Sequence, residues 1–128
     1  MPEENERRHF VLKFNEGNKF EETATVEIWC DGREYDPTSE GYRPRYSYRI
    51  VTKNWEYVDN DIFGKINEPP NILSASRSLL AFLYACQEAK EGGENYDLFP
   101  PHVREWTEQY NDEIQKLYGE LVDEMHNS

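Results

Sequence analysis

The sequence predicts an α+β fold, in which an antiparallel meander of four to five strands in the N-terminal half packs against two C-terminal helices. Two observations predict it. Hydrophobic and polar residues alternate as far as Val58, whereas after Pro69-Pro70 the hydrophobic residues recur every three or four positions. Strands followed by helices are typical of an antiparallel sheet with helices on one face. We expect residues 1–8 to fray and residues 9–128 to form a single domain.

Five short segments carry the strand pattern, and they are His9–Phe14, Thr23–Cys30, Arg33–Tyr35, Arg45–Thr52 and Trp55–Val58. The alternation predicts one buried face, made of Ala24, Val26, Ile28, Cys30, Tyr46, Tyr48 and Ile50. Asp31-Gly32 separates the second segment from the third. Because Asp-Gly favours the tight turns that join two antiparallel strands, we expect a hairpin at this point.

Two later segments carry the helical pattern. Ile72–Lys90 is rich in Ala and Leu and contains neither Gly nor Pro, which favours a buried helix. Val103–Met125 has apolar residues at helical spacing over six turns, and these are Val103, Trp106, Tyr110, Ile114, Leu117, Leu121 and Met125. Gly119 lies inside this segment and lowers its helix propensity.

The charge balance excludes some classes of partner. The 128 residues include 26 acidic and 14 basic side chains, which gives a net charge of −12. A protein of this charge is repelled by nucleic acid and by anionic lipid, so we expect neither as a direct ligand. The first ten residues, MPEENERRHF, lack the apolar stretch of a signal peptide, and the sequence has no membrane-length apolar run and no disulfide framework, so we expect a cytoplasmic protein.

One stretch partly matches a calcium-binding loop. Counted from Asp59, Asp61 stands at position 3 and Gly64 at position 6 of such a loop. Phe63 at position 5 and Pro70 at position 12 cannot act as ligands, and the second of these positions normally carries a bidentate Glu. We therefore interpret the stretch as a turn, with no metal and no cofactor.

No catalytic motif is present, and we predict no catalytic residue. Cys86 lies in the apolar stretch LLAFLYAC, where a free cysteine is usually hydrophobic filling. The three histidines, His9, His102 and His126, form no recognisable pair with a cysteine or an acid at motif spacing. An enzymatic activity is therefore the less favoured interpretation.

The C-terminal helix points to a partner. From Glu88 to Ser128 there are eleven acidic residues and three basic ones, whereas an ordinary solvated helix mixes the two signs. Six acids lie on or beside the polar face, and we call them the helix carboxylates: Glu105, Glu108, Asp112, Glu113, Glu120 and Asp123. We expect them to bind a basic protein surface, for example that of a nucleic-acid-binding enzyme. This expectation requires that Arg43, Arg45 and Arg49 do not fold across the helix and neutralise it.

In size and charge alone, the chain resembles small acidic accessory proteins of phages and mobile elements. Some of those proteins imitate DNA and block restriction or CRISPR enzymes. The resemblance implies a non-enzymatic inhibitor or nucleic-acid mimic.

Two other functions remain open. One is a small-ligand or enzymatic domain with a pocket between sheet and helices, for which the candidate residues are Tyr48, Trp55, Asp59, Asp61 and Arg77. The other is a structural subunit that forms homo-oligomers through Trp29 and the outer strand face.

Overall fold

The computed structural model describes residues 7–14, 17, 19–86 and 99–127. Most of the N-terminal segment expected to fray, and residues 87–90 of the first predicted helix, lie outside these ranges. Four strands form one antiparallel sheet in the order β1-β2-β3-β4, and they are β1 (Arg7–Phe14), β2 (Glu22–Asp36), β3 (Gly41–Val51) and β4 (Glu56–Phe63). Three helices follow, namely α1 (Ile72–Cys86), α2 (Pro101–Gln109) and α3 (Asn111–His126). The prediction of an α+β fold with an antiparallel meander is confirmed.

The chain divides into two compact units. The first comprises Met1–Val11 and Ala24–Ser76, and the second comprises Leu12–Thr23 and Arg77–Ser128. In the first unit the predicted strand face is buried at all seven positions, which are Ala24, Val26, Ile28, Cys30, Tyr46, Tyr48 and Ile50. The alternation therefore identified the buried side of β2 and β3 correctly.

The predicted hairpin at Asp31-Gly32 is wrong. β2 runs through both residues, and its register with β3 shifts between Cys30 and Arg33. Gly32 has a φ of +93°, so it supplies the positive φ that a β-bulge uses as readily as a tight turn does. The chain reverses at residues 37–40 instead, where the Thr38 N–H donates to Asp36 Oδ1 at 3.0 Å.

The predicted turn at Asp59–Gly64 is also wrong. Asp59 and Asp61 are residues of β4. Tyr46 pairs with Ile62 and Tyr48 with Asp59, so β4 has one more residue than β3 between these pairs, and the extra residue forms a bulge. The polar composition of this stretch suggested a loop. The β3–β4 ladder nevertheless continues through it, because a bulge accommodates the extra residue of β4.

The second unit contains most of the helical residues. Its buried side chains include Leu79, Leu80, Leu83 and Cys86 of α1, Val103 and Trp106 of α2, and Ile114 and Leu121 of α3. The single helix predicted over Val103–Met125 is interrupted at Tyr110, whose ψ of 16° departs from helical geometry. Tyr110 is buried, and its ring lies 5.2 Å from that of Trp106. None of the helices among the described residues is long and apolar enough to span a membrane.

Candidate functional site

The helix carboxylates are distributed over two helices. Glu105 and Glu108 lie on α2, and the other four lie on α3. Five of them are exposed and Glu113 is half-buried. Within the part of the chain that the structure describes, none of the six forms a salt bridge. Lys116 is four residues from both Asp112 and Glu120, yet it pairs with neither.

The arginines of β3 are paired with acids of the sheet. The pairs are Arg43–Glu34 at 3.7 Å, Arg45–Asp31 at 3.7 Å, Arg49–Glu27 at 3.2 Å and Arg49–Glu56 at 3.5 Å. All of these residues belong to the first unit. The basic residues that could have neutralised the helix carboxylates therefore have acidic partners within their own unit.

Glu27 is the centre of an ion-pair cluster that the sequence did not reveal. Its side chain is only 9% exposed. Oε1 lies 3.3 Å from Arg7 Nη1 and 3.2 Å from Arg49 Nη2, and Oε2 lies 3.0 Å from His9 Nε2. Both carboxylate oxygens of Glu27 therefore have basic partners, and these contacts connect β2 with β1 and β3. The position of Arg49 opposite Glu27 follows once β2 is paired with β3 in the correct register. The positions of Arg7 and His9 near Glu27 depend in addition on where β1 lies.

The candidate ligand-pocket residues are only partly brought together. Tyr48 is buried opposite Asp59, with its ring centroid 6.2 Å from that of Tyr57. The Tyr57 hydroxyl donates to Asp59 Oδ2 at 2.7 Å, so this carboxylate already has a partner. Trp55 is half-buried, and its backbone N–H donates to Thr52 Oγ1 at 3.1 Å.

The remaining two pocket candidates are placed differently. Arg77 is exposed on α1 and belongs to the second unit. Asp61 lies in β4, and its side chain is outside the described part of the structure. Among the described residues, no group of three or more His, Cys, Asp or Glu side chains could hold a metal ion.

Cys86, His102 and His126 do not form a catalytic pair within the described part of the chain. Burial raises the pKa of the Cys86 thiol above its ordinary value. Hydrogen bonds with Thr107 and Arg104 lower the pKa by less than burial raises it. A thiol held in its protonated form is a poor nucleophile. His102 and His126 are exposed at the first turn of α2 and the end of α3.

Trp29, the candidate contact for oligomerisation, is half-buried on the outer strand face. The Arg7 guanidinium lies 4.7 Å from its ring centroid, in the position of a cation–π contact. Val11 and Val58 are more exposed, at 51% and 55%. The tryptophan therefore already has a partner within the chain.

A groove between α1 and α3 was not foreseen from the sequence. Its volume is about 500 Å³, and it is lined by Ala81, Tyr84, Gln115, Tyr118 and Gly119. We call it the α1–α3 groove. A smaller cavity of about 260 Å³ is lined by Pro101, Arg104 and two helix carboxylates, Glu105 and Glu108. The residues of the α1–α3 groove come from two helices, so only the packing of those helices reveals it.

Known proteins give no family for this chain. No protein-family model matches it, and neither does any curated protein or solved structure.

Proposed function

We propose that the chain is a non-enzymatic protein-interaction module whose helix carboxylates bind a basic surface on another protein. One observation carries the proposal. Within the described residues the helix carboxylates lack salt bridges, whereas Arg43, Arg45 and Arg49 are paired with acids of the sheet. The negative charge of α2 and α3 is thus available to an external cation.

The physical consequence is long-range attraction. Several carboxylates of one sign, most of them exposed, create a potential that speeds the approach of a basic partner. Salt screens this potential over about 8 Å at physiological ionic strength. A nucleic-acid-binding enzyme is a suitable partner class because its binding channel is basic. An inhibitor that imitates nucleic acid would act in this way.

A cytoplasmic location belongs to the same proposal. Cys30 and Cys86 are buried thiols that are not joined by a disulfide. Free thiols are usual in a reducing compartment, where disulfides seldom persist.

The test uses charge reversal with a matched control. Affinity capture from lysate of the native host is carried out at 50, 150 and 500 mM NaCl, and the bound proteins are quantified by mass spectrometry. The test variant is Glu105→Lys/Asp112→Lys/Asp123→Lys. The control is Glu21→Lys/Glu40→Lys/Glu68→Lys, which makes the same change in net charge at exposed acids elsewhere.

We expect wild type and control to retain the same basic protein, with less retained as salt rises. The helix variant is expected to lose it. Retention of that protein by the helix variant, or retention independent of salt, would contradict the proposal. Purified partner and wild-type chain should then show an association rate that falls with ionic strength.

A further inference from the structure

We infer that the α1–α3 groove is a binding site for an arginine side chain of the basic partner. The inference rests on the proposed function and adds the chemistry by which one cationic side chain is selected. Three features support it, namely the aromatic wall of the groove, its bare glycine and the acids that flank Gln115 and Gly119 along α3.

The aromatic wall comes from Tyr84 of α1 and Tyr118 of α3. Both are half-buried. Within the described residues neither tyrosine hydroxyl has a hydrogen-bond partner. Two tyrosine rings at a groove of this size suit a flat cation, since the ring faces attract positive charge.

Gly119 forms a bare part of the wall. It lies inside α3, where alanine would be the better helix former. A Cβ built at this position would meet no atom within 4 Å. The packing of the chain therefore does not require glycine here, but an occupant of the groove would come close to the helix backbone at this point.

The acids lie at the two ends of one row on α3. Asp112, Gln115, Gly119 and Asp123 are spaced by three, four and four residues, which makes them successive neighbours on the helix surface. All four are exposed, and the row itself contains no base, although Lys116 lies beside Gln115. A cation seated between Gln115 and Gly119 thus has a carboxylate one turn away on either side.

Arginine fits these features better than lysine does. Its guanidinium is planar, stacks on aromatic rings and is weakly hydrated, whereas the lysine ammonium is a compact and strongly hydrated charge. The side-chain oxygen of Gln115 can accept a hydrogen bond from it. The groove should therefore distinguish between two peptides of equal charge.

The experiment measures binding of fluorescein-labelled nona-arginine and nona-lysine by anisotropy at 50 mM NaCl. The groove variants are Tyr84→Leu, Tyr118→Leu and Gly119→Leu. Tyr35→Leu is the control because Tyr35 is an exposed tyrosine of β2 in the other unit. Circular dichroism and urea unfolding establish that each variant is folded.

We expect wild type to bind nona-arginine more tightly than nona-lysine. Tyr84→Leu and Tyr118→Leu should each weaken nona-arginine binding about two- to fivefold, as expected for a surface cation–π contact. Nona-lysine binding should change less. Gly119→Leu should fill the groove and remove the preference for arginine, and Tyr35→Leu should leave both affinities unchanged.

The inference and the proposed function fail in different ways. If the charge-reversal variant weakens both peptides but the groove variants leave the arginine preference intact, the groove is not the site and the electrostatic proposal stands. If charge reversal changes neither affinity, the proposed function fails as well. Equal affinity of wild type for the two peptides would also overturn the inference.

Discussion

Arg49 and Glu27 are directly opposite in the β2–β3 ladder, with Arg49 Nη2 3.2 Å from Glu27 Oε1. The glutamate is buried, and it also accepts contacts from Arg7 and His9 on β1. A carboxylate withdrawn from water is stable only when such partners compensate for its lost hydration. The same carboxylate therefore connects β1 to the strand pair β2–β3.

Glu27→Gln should lower the free energy of unfolding by about 1–3 kcal/mol, the range for leaving charged hydrogen-bonding groups unpaired. Urea unfolding at pH 7 measures the change. Glu56→Gln is the matched control, since Glu56 also pairs with Arg49 but is 53% exposed. It should cost less than about 1 kcal/mol, as surface ion pairs do. Equal losses in the two variants would show that the burial of Glu27 is not what gives the cluster its importance.

Gly32→Ala should destabilise the protein by about 1–2 kcal/mol, because an L-residue resists positive φ. A Cβ at Gly32 meets nothing within 4 Å, so the effect isolates the backbone. Gly119→Ala is the comparison, since its Cβ also has open space but the residue is helical. It should stabilise the protein by about 1 kcal/mol. Thermal unfolding of both variants should give shifts of opposite sign, and shifts of the same sign would contradict the bulge at Gly32.

Stability should fall as the pH rises above about 9. Burial raises the pKa of Tyr46 and Tyr110 above 10.0 and that of Cys86 above 9.0. Between the ordinary and the raised pKa the unfolded chain has released these protons and the folded chain has not. The unfolded state then binds fewer protons, so the free energy of unfolding decreases with pH. Below the ordinary values both states are protonated, and these groups add no pH dependence.

Tyr46→Phe tests this assignment. The Tyr46 hydroxyl accepts the Asn71 N–H at 2.7 Å, so the variant should be less stable at pH 8 by about 1 kcal/mol. Its decline between pH 9 and 11 should be shallower than that of wild type, because one titrating group has been removed. Urea unfolding at four pH values provides both quantities. A decline as steep as that of wild type would show that Tyr46 does not contribute.

Neither cysteine should react while the protein is folded. Cys86 is 0% exposed and Cys30 is 7% exposed. Ellman's reagent should therefore detect no fast thiol in buffer and both thiols in 8 M urea. Ser39→Cys, in the exposed turn between β2 and β3, is the positive control and should react at once. Rapid reaction of a native thiol would restore Cys86 as a candidate nucleophile.

The amino-acid pattern predicted local structure better than it predicted connections. The inner faces of β2 and β3 were correct because alternation follows directly from the geometry of a strand. The errors at Asp31-Gly32, Asp59–Gly64 and Tyr110 have two origins. Residues that favour a turn also suit a bulge, and a continuous apolar period does not reveal a residue that leaves helical geometry.

Sequence alone determined the fold class, the buried strand face and the excess of acid near the C-terminus, because each depends on residue type and short spacing. Tertiary structure decided which charges remain available. Arg49 is assigned to Glu27 by strand register, and Tyr84 and Tyr118 come to line the same groove by helix packing. Charges and rings act over a few ångströms in space, and residues far apart in the chain come within that distance only when it folds.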